Sequence, residues 1–254
     1  MKGTHLAIQL AEHAIQFVSF RNNNVVNESL VSFEENSDDS KIAVLKKHFN
    51  DVSFLNEDFD DITLSWSFKR TTLVPNAIFA DSKPTDIFEL CYGKESLNYD
   101  IDYNRISELG VINVYEIPEW IKHFFVIKFP RIIIQHEGSH IVRQNLAENA
   151  FKLKGTVVLY QGYFHLTIVK HNNLEFYSSF DYQNHEDVIY HLMFALQQKE
   201  MTNESGSLEF ILGPGIEDSI LEKINTDIAR VKDLHKLKVN QPKHFIAKSQ
   251  LLCV

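Results

Sequence analysis

One run of residues in this 254-residue chain has the spacing of a metallohydrolase: His136, Glu137, Gly138, Ser139 and His140. In H-E-x-x-H on a helix, two histidines one turn apart bind zinc, and the glutamate takes a proton from metal-bound water. The flanking residues do not supply that helix. Pro130 and the β-branched Ile132, Ile133 and Ile134 run almost up to His136 as a strand, and Gly138 and Ser139 read as a helix start. Arg143 stands where a metzincin extension would need glycine, and Glu148 and Glu175 are downstream carboxylates with no motif around them. With 12 His in the chain, chance alone produces the pattern in roughly a few per cent of such sequences. The expectation is that this run binds no metal, with a zinc hydrolase kept as an alternative.

Other reactive types are dispersed. Glu57, Asp58, Asp60 and Asp61 lack the spacing and internal glycine of a calcium loop and read as a solvated turn. Ser139, Ser178 and Ser179 lack the glycine-flanked elbow of a hydrolase, and Cys91 has no motif neighbours. His123 and His191 fall within amphipathic helices, where a surface role suffices. A net charge of -9 without a basic cluster offers no footprint for nucleic acid. Two cysteines, Cys91 and Cys253, fit free thiols in a cytoplasmic protein. The first twenty residues lack a signal-peptide core, and no apolar run reaches membrane-spanning length.

The elements that would position any site are legible as a duplication. Apolar runs at Leu6–Leu10, Ile15–Phe20 and Val25–Phe33, with Asn22, Asn23 and Asn24 before the third, predict three strands. Val157–Tyr160, Phe164–Val169 and Leu174–Phe180 repeat the pattern, with His171, Asn172 and Asn173 in place of the asparagines. Asp38 and Asp39 precede a helix through Ile42, Leu45 and Phe49, and Ile62–Trp66 reads as a fourth strand. A turn-rich stretch through Asp81, Pro84 and Gly93 leads to the strand Val111–Tyr115, a helix opened by Pro118 and Glu119, and the strand Ile132–Gln135. In the second half, Asn184 caps a helix, Leu208–Leu212 is a strand, and Gly213, Pro214 and Gly215 turn into a last helix through Ile220, Leu221 and Ile224. Both halves thus read three strands, helix, strand, helix.

That order resembles the ribonuclease-H-like unit, and two such units in tandem resemble the actin and Hsp70 superfamily, an α/β architecture of two lobes. INVYEIPEWIKHFFVIKFPRIIIQHEGSHIVR, over residues 112–143, looks like a passage of the pilus-assembly actin-like PilM family. TTLVP at Thr71–Pro75, INVYEIP, Phe129 and Pro130, and HEDVIYHLMFALQ at His185–Gln197 are similar to the bacterial DUF3822 family over nearly the whole chain. The resemblance implies an N-terminal lobe over 1–150 with an inserted central segment, a C-terminal lobe over 151–254, and a nucleotide cleft between them.

In the superfamily each hairpin carries Asp-x-Gly, the aspartate ordering hydrated magnesium and the glycine admitting phosphate to backbone N–H groups. On this sequence those positions fall on Gln9 and Ala11, and on Val158 and Tyr160, with Gln16 at the nearby polar position. Gly213 and Gly215 match the superfamily's adenosine-binding turn, although such a turn needs glycine without a ligand too. Gln9 and Val158 also exclude a two-metal nuclease, which needs first-strand carboxylates. The expectation is a degenerate, vestigial cleft with no cofactor and no catalysis, in a protein that binds a protein partner or itself. An ATP binder with an altered pocket is the alternative. The C-terminal segment His244–Val254, with Phe245, Ile246, Leu251, Leu252, Cys253 and Val254, is expected to dock on its own lobe.

Overall fold

In the computed structural model, which describes residues 3–35, 37–81, 83–148 and 150–253, the first apolar runs pair as antiparallel strands β1 (Thr4–Leu10), β2 (Ala14–Arg21) and β3 (Asn24–Ser32). Asn22 and Asn23 adopt φ of 51° and 64°, the left-handed pair that a two-residue hairpin turn needs and asparagine tolerates. Helix α1 (Asp38–Asp51) follows, capped by the Ser37 hydroxyl accepting from the Ser40 N–H rather than by Asp38 or Asp39. Strand β4 (Asp61–Trp66) then pairs parallel to β1. Asp60, just before β4, accepts hydrogen bonds from the Thr4 N–H and hydroxyl, which hold its carboxyl below the usual range.

The middle of the chain is more regular than its sequence pattern suggests. Strand β5 (Thr71–Pro75), helix α2 (Pro84–Tyr92), and strands β6 (Tyr99–Ile106) and β7 (Val111–Pro118) build a small antiparallel sheet in the order β5-β7-β6, whose core is Val74, Phe88, Ile112 and Val114. Arg70 clamps it. Its guanidinium gives both oxygens of the fully buried Glu116 a hydrogen bond at 2.9 and 3.1 Å, reaches the carbonyls of Tyr92 and Lys94, and lies over the Phe88 ring. Helix α3 (Glu119–Lys128), strand β8 (Ile133–His136) and helix α4 (Glu137–Ala147) follow. β8 pairs with β4, which completes a mixed sheet ordered β3-β2-β1-β4-β8. Leu6, Ile8, Leu10, Ile15 and Phe17 on one face pack with Leu45 and Phe49 of α1 and Ile121 and Phe125 of α3.

The second half repeats the topology. Strands β9 (Leu153–Leu159), β10 (Tyr163–Lys170) and β11 (Asn173–Asp181) precede α5 (His185–Gln198), β12 (Gly206–Leu212), α6 (Ser219–Arg230), β13 (Leu237–Asn240) and α7 (Phe245–Gln250). The sheet order is β11-β10-β9-β12-β13, with β9 central and buried along its whole length. Each strand of this hairpin set begins and ends 149 positions after its counterpart, as Thr4 and Leu153, Ala14 and Tyr163, and Asn24 and Asn173 show. The turn recurs as His171 and Asn172, with φ of 52° and 60°. The bulge recurs as well, between Ser19 and Phe20 in one copy and between Ile168 and Val169 in the other. Asn184 and Asp187 form a capping box at the start of α5.

The chain divides into two compact units, Met1–His140 with Ile246–Val254, and Ile141–Phe245. The division therefore falls within α4 rather than at residue 150. The C-terminal segment, expected on the second lobe, belongs to the first unit. Ala247 packs with Ala7, Val18 and Phe20, Leu251 against that cluster, and the Gln250 side chain accepts from Thr63 Oγ1 at 2.7 Å while donating to the Ile8 carbonyl. This face of β1 and β2 carries small and apolar residues that a helix must cover, and α7 is that helix. Val254 and the side chain of Cys253 lie outside the described residues.

Candidate functional site

The first hairpin holds Gln9 near the end of β1, across from Gln16 on β2, and closes through the Ala11 N–H to the Ala14 carbonyl at 2.9 Å. Gln9 is buried, and its Nε2 donates to Oε2 of Glu137 at 3.3 Å. Glu137, the first residue of α4, is itself fully buried. An aspartate at position 9 would set a second acidic group beside this carboxylate, and like charges in a buried site raise each other's cost of ionisation. An amide donates instead. Position 9 thus supplies a donor to the Glu137 carboxylate, which an aspartate there would not.

In the second hairpin Val158 lies on β9, paired with His165, and has no polar atom to offer. Tyr160 follows the strand, its N–H closing the turn to the Tyr163 carbonyl at 2.9 Å, as Ala11 does in the first copy. Its ring is buried, stacks on Tyr163 with centroids 5.1 Å apart, and meets His165 edge-on at 6.0 Å. The Tyr160 carbonyl accepts from the Tyr182 hydroxyl at 2.6 Å, and His165 Nδ1 lies 2.7 Å from the Ser179 hydroxyl. Gly213 explains itself here. A Cβ at that position would sit 2.2 Å from Cε1 of Tyr160, so the absence of a side chain at 213 makes room for the tyrosine ring. Gly215 has φ of 80°, a left-handed conformation that favours glycine for backbone reasons alone.

The H-E-x-x-H run straddles the junction of β8 and α4. His136 ends the strand, so the two histidines do not share a helix. Its Nδ1 accepts from the Gly138 N–H at 3.0 Å and its Nε2 donates to the Phe68 carbonyl at 2.9 Å, which engages both ring nitrogens. Burial pushes the His136 pKa down to about 4, with the Phe68 bond opposing. The backbone N–H of His136 and the Ser139 hydroxyl both donate to Asn104 Oδ1, and Asn113 Nδ2 donates to Ser139. Thr71 Oγ1 in turn donates to Asn113. These residues tie the β8–α4 junction to the small inserted sheet, a use that accounts for their polarity. Among the described residues, His185, Glu186 and Asp227 do bring donor atoms within 4.8 Å of one another. There the imidazole lies between two carboxylates, Nδ1 at 3.0 Å from Glu186 and Nε2 at 3.3 Å from Asp227.

Residues 1–226 match the family model described as Protein of unknown function (DUF3822). The chain belongs to the DUF3822 family. No curated protein sequence matches the chain. Among solved structures it is similar to a Bacteroides thetaiotaomicron protein with actin-like ATPase fold and unknown function, at TM-score 0.77 and 18% identity over 100% of this chain and 97% of that one. It is also similar to PilM of the PilM–PilN type IV pilus biogenesis complex, at TM-score 0.55 and 9% identity over 98% of both chains. An Aquifex aeolicus member of the Ppx/GppA family aligns at TM-score 0.50 and 9% identity over 98% of both chains. At these identities the likeness carries the fold, so this DUF3822 member has an actin-like ATPase fold of two related units. Among the described residues no helix is long and apolar enough to cross a membrane.

Two features of the hairpins lie beyond the sequence pattern. The spacing gives Glu137 the place of a zinc base, and nothing in it joins that residue to Gln9, which is 128 positions away. The pairing of Tyr160 with Gly213 has a usable signal, since a large residue in one turn and a glycine in another are the two halves of one packing contact.

Proposed function

We propose that this protein is a non-catalytic member of the actin-like superfamily that acts by binding another macromolecule or itself. The observation that carries the reading is the Tyr160 ring lodged against Gly213, with both hairpin N–H groups closing their own turns. Val158 and Gln9 supply no carboxylate for a metal-bound water, and Gln9 is committed to Glu137. An adenine-nucleotide binder with an altered pocket would need phosphate contacts from residues other than Gln9, Ala11, Val158 and Tyr160. PilM, with which this chain shares the fold, is found in complex with PilN, so an assembly role has a structural parallel. Titration of the purified protein with Mg·ATP tests the reading, and the absence of saturable binding at micromolar protein supports it.

A further inference from the structure

Two exposed surfaces of this chain have complementary chemistry. On the first unit, α1 and α3 leave a groove of about 770 Å³ between them, floored by Phe49, Trp120 and Phe124 and edged by Ile127, which is 83% exposed. Its charged and titratable lining groups are Lys46, Lys128 and His123, so a chain of net charge -9 has here a groove with no acidic residue in its wall. Lys128 is partly committed, lying over the Phe49 ring and donating to Asn56 Oδ1. Lys46 stands exposed at the rim.

On the second unit, α5 turns a single stripe to solvent. Glu186, Tyr190 and Phe194 follow one another at intervals of four, which places them on one helix face. Tyr190 is 65% and Phe194 45% exposed, and their rings stack at 6.3 Å. The buried side of the same helix is complete without them, since Val188, Ile189, Leu192, Ala195 and Leu196 fill the core. Two neighbouring aromatics held in solvent beyond the needs of a core mark an interaction surface.

We propose that a second copy of this chain fills the α1–α3 groove with the α5 stripe, Tyr190 and Phe194 entering the apolar floor and Glu186 meeting Lys46. The stripe spans about 12 Å of helix, short enough to lie along two packed helices of 14 and 10 residues. The contact joins one helical stripe to one groove, a small contact beside standard interfaces of roughly 1,200 Å² and more, so the association is weak and visible only at high concentration. It forms either reciprocally in a two-fold dimer or head to tail, because the groove and the stripe are different surfaces.

The inference rests on the non-catalytic reading in requiring no nucleotide. Sedimentation velocity from about 5 to 500 μM, with and without Mg·ATP, should show self-association that rises with concentration. Ile127→Glu and Tyr190→Asp, both at exposed positions, should each weaken it at least tenfold. Lys46→Glu and Glu186→Lys should each weaken it severalfold, and the two together should restore it. A monomer throughout the range overturns the contact, as does a double charge reversal no better than its parents. Association that appears only with Mg·ATP keeps the contact and overturns the non-catalytic reading instead.

Discussion

Replacing Gly213 with alanine distinguishes a glycine kept for packing from one kept for a ligand. The added Cβ would meet Cε1, Cδ1 and Cζ of Tyr160 at 2.2, 2.5 and 2.8 Å, against an ordinary carbon contact of about 3.5–4.0 Å. The ring has little freedom to yield, being 1% exposed and stacked on Tyr163. Overpacking of this kind costs about 1–3 kcal/mol. A cost of about 2 kcal/mol corresponds to a fall in melting temperature of roughly 4–8 °C for a chain of this size. The assay is thermal and urea unfolding followed by circular dichroism, in a cycle with Tyr160→Ala. That substitution empties the space the new methyl group needs, so Gly213→Ala should cost almost nothing in the Tyr160→Ala background, a coupling of about 2 kcal/mol. Unchanged melting of Gly213→Ala alone would refute the packing account, and so would a full cost that persists without the tyrosine ring.

Three further outcomes follow from the geometry. Burial lowers the pKa of both His5 and His136 from 6.5 to about 4, so the unfolded chain binds protons that the folded one refuses. Stability is complete above about pH 6.5 and falls as the pH drops to about 4, by roughly 3 kcal/mol for each histidine; urea midpoints that stay flat over that window, or that are unaltered in slope by His5→Gln, would contradict this. Arg70→Ala leaves the buried Glu116 carboxylate without its guanidinium and should cost about 3–5 kcal/mol, read as a lowered melting temperature that Arg70→Lys only partly recovers. Truncation after Gln241 removes the buried Phe245, Ile246 and Ala247, worth on the order of 5 kcal/mol, and should lower the melting temperature by several degrees; a truncated protein that melts unchanged would show that α7 contributes nothing to the first unit.

The hairpins were legible because their physics is local. Alternating apolar runs and left-handed asparagine turns sit within about 30 residues, and the second copy repeats them without insertion. Of the inserted sheet only β7 was legible, because β5 is short, α2 starts at Pro84 without a side-chain cap, and polar residues such as Asp100, Asp102 and Asn104 dilute the apolar alternation of β6. β13, Leu237–Asn240, is only four residues long, too short to show a pattern of its own. The destination of α7 was beyond local reasoning, since its apolar residues announced burial without saying against what, and its partners Thr63 and Ile8 lie 187 and 242 positions away. At the hairpins the residue types can be read directly from the sequence. What Gln9 and Tyr160 do, the one satisfying Glu137 and the other resting on Gly213, depends on side chains brought together from distant parts of the chain.

Isothermal titration of the full chain with Mg·ATP tests the proposed non-catalytic reading most directly, because that reading puts Gln9, Ala11, Val158 and Tyr160 at the positions that would have to hold metal and phosphate. At tens of micromolar protein only heats of dilution are expected, with no ATP hydrolysed by the same sample over hours. Saturable binding with a dissociation constant in the micromolar range or tighter, abolished by a bulky substitution at Gly215, would contradict it.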